Sequence, residues 1–338
     1  MPTHHRTVPT DFQALRTHAV DGGIETRLER LRLDELSAGE VVVRTRYAGV
    51  NYKDGLSLHG QAKIITAFPR IAGIELVGEV LQSSSPDFQP GQDVQAHGFQ
   101  TGIAFDGGFS EYVRVPAAHL QPIPEGLTAH EAAVLGVPAF TAAMALERFE
   151  ASGLTPDAGP IAVSGASGAV GLLAIGILAR AGYRVSAITR RMSQAAQLQS
   201  AGAAEVIDAV ALDQPQRALE KARFAAAIDN VGGSMLSWLL RSMQDSGCVA
   251  SVGNAGGNTF EGSVLPFIMR RVELFGIVAN APWPQRRRLW ARLGQDLKPD
   301  FAKLWPHVEH IRLDRLMAHS AQQLKGKTSG RVLVSFED

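Results

Sequence analysis

The stretch Ile161-Ala-Val-Ser-Gly-Ala-Ser-Gly-Ala-Val-Gly171 constrains this chain more than any other. It opens apolar and β-prone, turns small and glycine-rich, and runs into residues 172–181, whose composition is helical. A strand, a tight turn and a helix start in that order make the front edge of a dinucleotide-binding unit. Gly168 and Gly171 fall where the backbone must approach a pyrophosphate and where the helix must pack on the strand. Ala166 stands where the strict pattern has its first glycine. Free N–H groups at such a helix start hold phosphate. Glycines are common in strand-to-helix turns, so this one takes its meaning from the segments C-terminal to it.

Those segments alternate between strand and helix. Strands are expected over residues 161–164, 184–189, 205–207, 225–229, 248–252 and 273–277. Helices are expected to start near Gly168, Ser193, Gln214, Ser234 and Pro266. Such alternation predicts a parallel sheet covered on both faces, and six strands complete a doubly wound dinucleotide fold. The N-terminal part differs. After a loose polar arm over residues 1–10, the segments from Phe12 to about Val115 are short and β-rich, with strands expected over 41–48, 74–81, 93–97 and 109–115. Turn signals such as Gln89-Pro-Gly91 and Asp106-Gly-Gly108 separate them, which suggests a compact barrel-like domain. Thr128 and Glu131 form a capping-box pattern, and Pro138 is expected to divide residues 127–149 into two helices. A basic helix over 285–297, an amphipathic segment over 313–324 and a strand over 330–336 close the chain. The expected organisation is therefore an inserted nucleotide domain, residues 131–284, within a β-rich domain of residues 1–130 and 285–338. The cleft between domains is the expected place for chemistry.

Bulk properties narrow the function. Lys+Arg and Asp+Glu balance at 33 each among 338 residues, which argues against a general nucleic-acid binder. Cys248 is the one cysteine, so no disulfide forms within the chain and a reducing, cytoplasmic setting is expected. The first twelve residues have no apolar core of signal-peptide length, and no uninterrupted apolar window predicts a membrane span.

An NAD site places Asp or Glu at the end of the second strand, about 20 residues past the glycines. Here that place holds Thr189-Arg190-Arg191-Met192-Ser193. A hydroxyl and two guanidinium groups suit the 2′-phosphate of NADPH. The bland alternative is a solvated basic turn; the position, set by the glycine motif, favours the cofactor. No metal is expected. Cys248 is the only thiol, the ten histidines are scattered, and His4, His5, His18, His97 and His119 read as surface, turn or strand residues.

The architecture resembles the medium-chain dehydrogenase/reductase superfamily in its zinc-free quinone oxidoreductase branch, and more narrowly the acryloyl-CoA reductase group. The residues that carry the resemblance are Val50-Asn-Tyr-Lys-Asp54, Phe68-Pro69, Gly73-Ile-Glu75, Gly107-Gly-Phe-Ser-Glu-Tyr112, Phe140-Thr-Ala142, Ser164 to Gly171, Ala227-Ile-Asp-Asn-Val-Gly232, Gly253-Asn-Ala-Gly-Gly257 and Pro266-Phe-Ile-Met-Arg270. Asn-Tyr-Lys-Asp is the most specific of these. Family members more often carry Asp at Glu75, Thr-Ala-Gly at Val137-Pro-Ala139, Leu at Asn254 and Asp-Ser at Val278-Ala279. Zinc-dependent relatives have His where this chain has Ile74.

The resemblance implies a doubly wound Rossmann domain inserted in a GroES-like, partly open barrel. It implies that Ser167, Gly168, Ala169 and Val170 line the pyrophosphate of NADPH, that Asn230 and Asn254 face the same cleft from later strand ends, and that Tyr52 lies beside the nicotinamide. Tyr52 can donate a proton to an enolate, or it can only pack; Asp54 can orient Lys53 or cap the next helix. The implied reaction is NADPH-dependent reduction of an α,β-unsaturated carbonyl compound, acryloyl-CoA to propanoyl-CoA first. The alternatives are quinone or general enone reduction, and an NADPH-binding protein without turnover. A CoA thioester carries phosphates, for which Arg286-Arg287-Arg288, Lys325, Lys327 and Arg331 are candidates; a charge run is also commonly a solvated face. Relatives dimerise through sheet edges, and residues 273–277 are the candidate edge of a homodimer.

Overall fold

The computed structural model describes residues 9–212 and 217–337. Most of the polar arm expected over residues 1–10, and the helix start expected near Gln214, lie outside the described residues. The chain forms two compact units. One holds the residues up to Val137 and those from Val308 on; the other is Pro138–His307. The sequence placed these crossings near residues 130 and 285. The basic helix Trp283–Gly294 lies in the second unit, where its buried Trp290 stacks on Phe140 with ring centroids 6.1 Å apart.

The first unit is β-rich. A hairpin of Phe12–Val20 and Gly23–Leu31, with Arg70–Ile71, makes a three-stranded sheet that buries Phe12, Ala14, Leu15 and Leu31. The larger sheet runs Val308–Ile311, Arg331–Ser335, Val41–Gly49, Glu75–Ser83, Asp93–His97, Leu120–Pro122, with Tyr112–Val115 also paired to Val41–Gly49. Alternate residues Val41 and Val43 face a core shared with Leu76, Val80, Val94, Val113 and Val115, as a two-residue period requires. The strand expected over 109–115 begins only at Tyr112, because the amides of Gly108 and Phe109 donate back to the Gly73 and Ala72 carbonyls.

The second unit is the doubly wound sheet. Six parallel strands lie in the order Glu205–Asp208, Val185–Thr189, Ile161–Val163, Phe224–Asp229, Met243–Ser251, Glu273–Gly276. Strand order reverses between Ile161–Val163 and Phe224–Asp229, the switch point at which such sheets hold ligands. Glu273–Gly276 is an edge.

The helix Ala129–Ala151 begins with the expected capping box. Thr128 N donates to Glu131 Oε2 at 2.8 Å and Glu131 N to Thr128 Oγ1 at 3.1 Å. By length and composition it could cross a membrane, but 78% of its most apolar window is buried within the fold. It breaks at Gly136 (φ 44°, ψ −150°), two residues before the proline expected to divide it. A Cβ at Gly136 would collide with Glu75 Oε2 and lie 2.5 Å from Arg331 Nη2. Glycine alone admits both that positive φ and that approach.

Those two side chains tie the break in this helix to two strands and to the turn at Asn51. Arg331 is fully buried, and its Nη2 donates to Glu75 Oε1 at 2.8 Å and to the Ala133 carbonyl at 2.7 Å. Its Nε donates to the Val134 carbonyl at 3.0 Å. Glu75 also accepts from Asn51 Nδ2 at 2.7 Å and from Val137 N at 2.6 Å. Beside it Asp54 is buried, with Oδ2 accepting from Asn51 N at 2.9 Å and Oδ1 from Ile74 N at 3.0 Å. Burial pushes the Asp54 carboxyl up to about 7, against the pull of its two backbone donors and with help from the nearby Glu75 charge.

A carboxyl raised in the folded chain binds its proton more tightly there than in the unfolded chain. Its contribution to stability is full below about pH 4, the unfolded value, and is lost as pH rises through about 7. Asp54→Asn should therefore flatten the decline of the urea midpoint between roughly pH 4 and 7. Equal slopes in the two proteins would refute this account of Asp54.

Candidate functional site

In the first unit, candidate chemistry gathers at the start of the short helix Tyr52–Leu58. Asn51 precedes it in extended conformation (φ −114°, ψ 158°), and the Asp54 carboxylate closes the turn by accepting from its amide. Asp54 is thus the third helical residue and reaches back, while its other oxygen ties the turn to Ile74. The Asn51 side chain is fixed by Glu75. Tyr52 is half-buried, Lys53 is exposed and Asp54 is buried. Of the two roles open for Asp54, the cap is the one built; Lys53 is exposed.

In the second unit, Gly168 caps the helix Ala169–Arg180 with no side chain on its free N–H groups, which leaves Ala169 and Val170 amides for an anion. Gly171 permits the close packing behind them, since a Cβ there would lie 2.7 Å from Ala166 Cα. Ser167 Oγ and Thr189 Oγ1 are 2.8 Å apart, and Thr189 Oγ1 accepts from Arg191 N at 3.0 Å. One buried hydroxyl therefore joins the glycine turn to the loop that carries Arg190, exposed, and Arg191, half-buried.

Asn230 follows the strand Phe224–Asp229. Its amide donates to Ser164 Oγ at 2.9 Å and its Nδ2 to the Ser164 carbonyl at 2.7 Å. Ser164 Oγ in turn donates to Asp229 Oδ1 at 2.6 Å, and Asp229 accepts from Val231 N and Gly232 N. Burial raises the Asp229 carboxyl above its usual range. The rigid Asn230 side chain keeps Oδ1 buried without a hydrogen-bond partner. Such an acceptor is costly unless a ligand donor reaches it. Asn254 differs: it is exposed, and its Nδ2 donates to Asn258 Oδ1.

These groups fit a dinucleotide. Among the described residues no three His, Cys, Asp or Glu side chains converge on a point. Cys248 is buried in the strand Met243–Ser251, with its thiol pushed up by burial. Glu75 and Asp54 are committed to protein donors.

The basic candidates also separate. Arg286 is 1% exposed, with its guanidinium over Phe140 (5.2 Å) and Trp283 (5.6 Å), and burial lowers its pKa to about 10. Arg288 pairs with Glu147 at 2.7 Å. Arg331 lies in the Glu75 pair. Arg286 and Arg331 are therefore neither rim cations nor a solvated face, because aromatic rings and a carboxylate took them inside. Sequence reasoning missed the Ser164–Asp229 pair; the signal was an acid ending the apolar run Phe224-Ala-Ala-Ala-Ile-Asp229.

Comparison with known proteins identifies the fold. Residues 37–125 match the family described as alcohol dehydrogenase GroES-like domain, and residues 169–294 the family described as zinc-binding dehydrogenase. The acrylyl-CoA reductase AcuI of Ruegeria pomeroyi is 38% identical, over 93% of this chain and 95% of its own. The crystal structure of the YhdH oxidoreductase of Salmonella enterica in complex with NADP has a TM-score of 0.90 at 35% identity, covering 96% of this chain and all of that one. YhfP of Bacillus subtilis with NAD bound has a TM-score of 0.91 at 36% identity, covering 97% and 100%. The chain belongs to the medium-chain dehydrogenase/reductase superfamily of oxidoreductases, a GroES-like domain with an inserted Rossmann domain, in the group of the acrylyl-CoA reductase and YhdH/YhfP relatives.

Proposed function

We propose that this chain is an NADPH-dependent, zinc-independent reductase of α,β-unsaturated carbonyl compounds, with acryloyl-CoA reduced to propanoyl-CoA as its first substrate. One observation carries the reading. The two carboxylates nearest Asn51 and Tyr52, those of Asp54 and Glu75, have their oxygens taken by backbone amides, Asn51 and Arg331. No donor set remains there for a Lewis acid, which a simple alcohol oxidation in this superfamily uses. A conjugated carbonyl polarises its own double bond and needs none. The relatives named acrylyl-CoA reductase support the same substrate class.

NADPH, when bound, supplies a hydride for the β-carbon of the substrate. The chain's residues bind and orient. Ala169 and Val170 amides at the helix start take the pyrophosphate with Ser167 and Gly168. Thr189, holding Ser167 and the Arg191 amide at once, sets the loop so that Arg190 and Arg191 meet the 2′-phosphate. Asn230 Oδ1 accepts from a cofactor hydroxyl or amide, and Asn254 closes the same side after the next strand. Tyr52 stands on a turn fixed by Asp54 and Glu75, and its hydroxyl donates to the enolate oxygen or passes its proton to the α-carbon.

With NADPH as reductant, the protein should consume acryloyl-CoA with a higher kcat/KM than crotonyl-CoA or a simple quinone; a preference for the quinone would overturn the substrate assignment. Replacing Arg190 and Arg191 together by alanine should raise the KM for NADPH more than about tenfold and leave that for NADH little changed. Equal use of both cofactors by the unaltered protein would sink the 2′-phosphate reading. Tyr52→Phe keeps the ring, so a packing role predicts little loss. A hydroxyl that serves the enolate predicts a fall in single-turnover hydride transfer of roughly tenfold or more, with NADPH affinity much less affected. An unchanged rate, measured with deuterated NADPH, would leave Tyr52 as a packing residue.

A further inference from the structure

Tyr52 is the first residue of a helix of 7 residues, Tyr52–Leu58. Its near end is tied by Asn51 and Asp54. A short helix held at one end can still pivot there, and a tilt swings the Tyr52 ring with it. What holds the far end therefore bears on where the hydroxyl lies. The last four carbonyls of a helix lack partners within it. Here the Gly55 carbonyl accepts from His59 N at 3.1 Å, that of Leu56 from Gln61 N at 2.9 Å and that of Ser57 from Gly60 N at 3.3 Å. These donors belong to the turn that directly follows the helix. The Leu58 carbonyl differs, because it accepts from Thr26 Oγ1 at 2.9 Å, in the strand Gly23–Leu31 of the N-terminal hairpin. A hydroxyl has one hydrogen to give. Thr26 gives its own to Leu58, so in the 3.0 Å contact of Thr17 Oγ1 with Thr26 Oγ1 the donor is Thr17. Thr17 is fully buried and stands opposite Thr26 in the hairpin register. The two threonines make a directed relay that aims one hydroxyl at the helix end. Gly60 (φ 65°) seats the following turn on the same strand, since a Cβ there would lie 3.0 Å from Ile24 Cγ1. A second tie runs to the helix Leu316–Leu324. His59 Nε2 and Ser320 Oγ are 2.9 Å apart, and Ser320 gives its hydrogen to the Met317 carbonyl at 3.1 Å, so His59 is the donor.

We propose that Thr26 is a positioning residue for Tyr52: its hydroxyl, on the Leu58 carbonyl, fixes the tilt of the short helix and with it the place of the Tyr52 hydroxyl. The inference rests on the proposed role of that hydroxyl at the enolate. Catalytic groups act within about 0.5 Å and 10–20° of their productive geometry, and a displacement of about 1 Å costs up to about 10²-fold. Without the Thr26 hydroxyl the His59–Ser320 tie still holds the helix end, so the helix loosens rather than detaches and the expected loss is smaller.

The test is a double-mutant cycle on single-turnover hydride transfer from NADPH to acryloyl-CoA, or to whichever conjugated carbonyl compound the unaltered protein reduces fastest. Thr26→Val removes the hydroxyl and keeps the branched shape. It should slow transfer about threefold to tenfold, with NADPH affinity unchanged. Thr26→Ser keeps the donor and should stay within about twofold of the unaltered rate. On a Tyr52→Phe background the Thr26→Val change should cost nothing further in rate, while its cost in urea midpoint should be the same on both backgrounds. A hydroxyl that only supports the fold predicts the same proportional fall in rate with and without the Tyr52 hydroxyl. That result overturns the positioning role, as does an unchanged rate in Thr26→Val where Tyr52→Phe is slow. If Tyr52→Phe itself transfers hydride at the unaltered rate, the enolate role of Tyr52 falls and the positioning role falls with it.

Discussion

The first unit depends on one buried ion pair, Glu75 with Arg331. Such a pair adds little net stability, since desolvation of both groups offsets most of their attraction. Its effect is on geometry. Glu75 and Arg331 between them bind the Asn51 side chain, the Ala133 and Val134 carbonyls and the Val137 amide. The turn at Asn51 and both sides of the break in the helix Ala129–Ala151 are therefore fixed by two side chains that cannot be left unpaired. Breaking either end would strand a buried charge, at a cost of about 3–5 kcal/mol. The partners lie 256 residues apart in sequence, so the pair closes only when the returning strand Arg331–Ser335 takes its place beside Val41–Gly49. Closure over that length costs only slowly more than over a short loop, which makes a large insertion between the two tolerable.

The second unit uses polar groups differently. Asp229 and Ser164 satisfy each other and the backbone around the switch point, and in doing so they hold Asn230 rigid with one acceptor left over. Thr189 likewise holds Ser167 and the Arg191 amide with a single hydroxyl. A site built this way loses little entropy when a ligand arrives, because its donors and acceptors are already placed. The unpaired oxygen carries a free-energy penalty that ligand binding would relieve.

What could be read in the chain was local. The glycine turn, the capping box of Thr128 and Glu131, and Thr189-Arg190-Arg191 announce themselves within a few residues. Period and turn chemistry suffice there. Long-range partnerships were not legible. Gly136 breaks the helix because a carboxylate from the strand Glu75–Ser83 and a guanidinium from near the end of the chain occupy the space, and Pro138 looked the better breaker. The strand Gly23–Leu31 reads as charged rather than apolar because much of it faces solvent, and only its pairing with Phe12–Val20 makes it a strand. Arg286 sits in a run of three arginines, yet its guanidinium lies over Phe140, distant in sequence, as well as over Trp283 one turn before it. Charge alone does not say whether a guanidinium faces water or an aromatic face.

The same distinction bears on the chemistry. A carboxylate beside Asn51 and Tyr52 could be a metal ligand, a general base or a structural anchor, and the sequence Gly73-Ile-Glu75 is compatible with each. Its neighbours decide. With Arg331, Asn51 and Val137 on Glu75, and two backbone amides on Asp54, both acids serve as anchors for the turn that presents Tyr52. Isoleucine at 74 contributes only a backbone donor to this arrangement. On the proposed reading, a site whose acids serve as anchors suits a substrate that polarises its own double bond, such as a conjugated thioester. Rigidity then has a direct use, because a hydroxyl that meets developing negative charge acts best when it does not have to move to reach it.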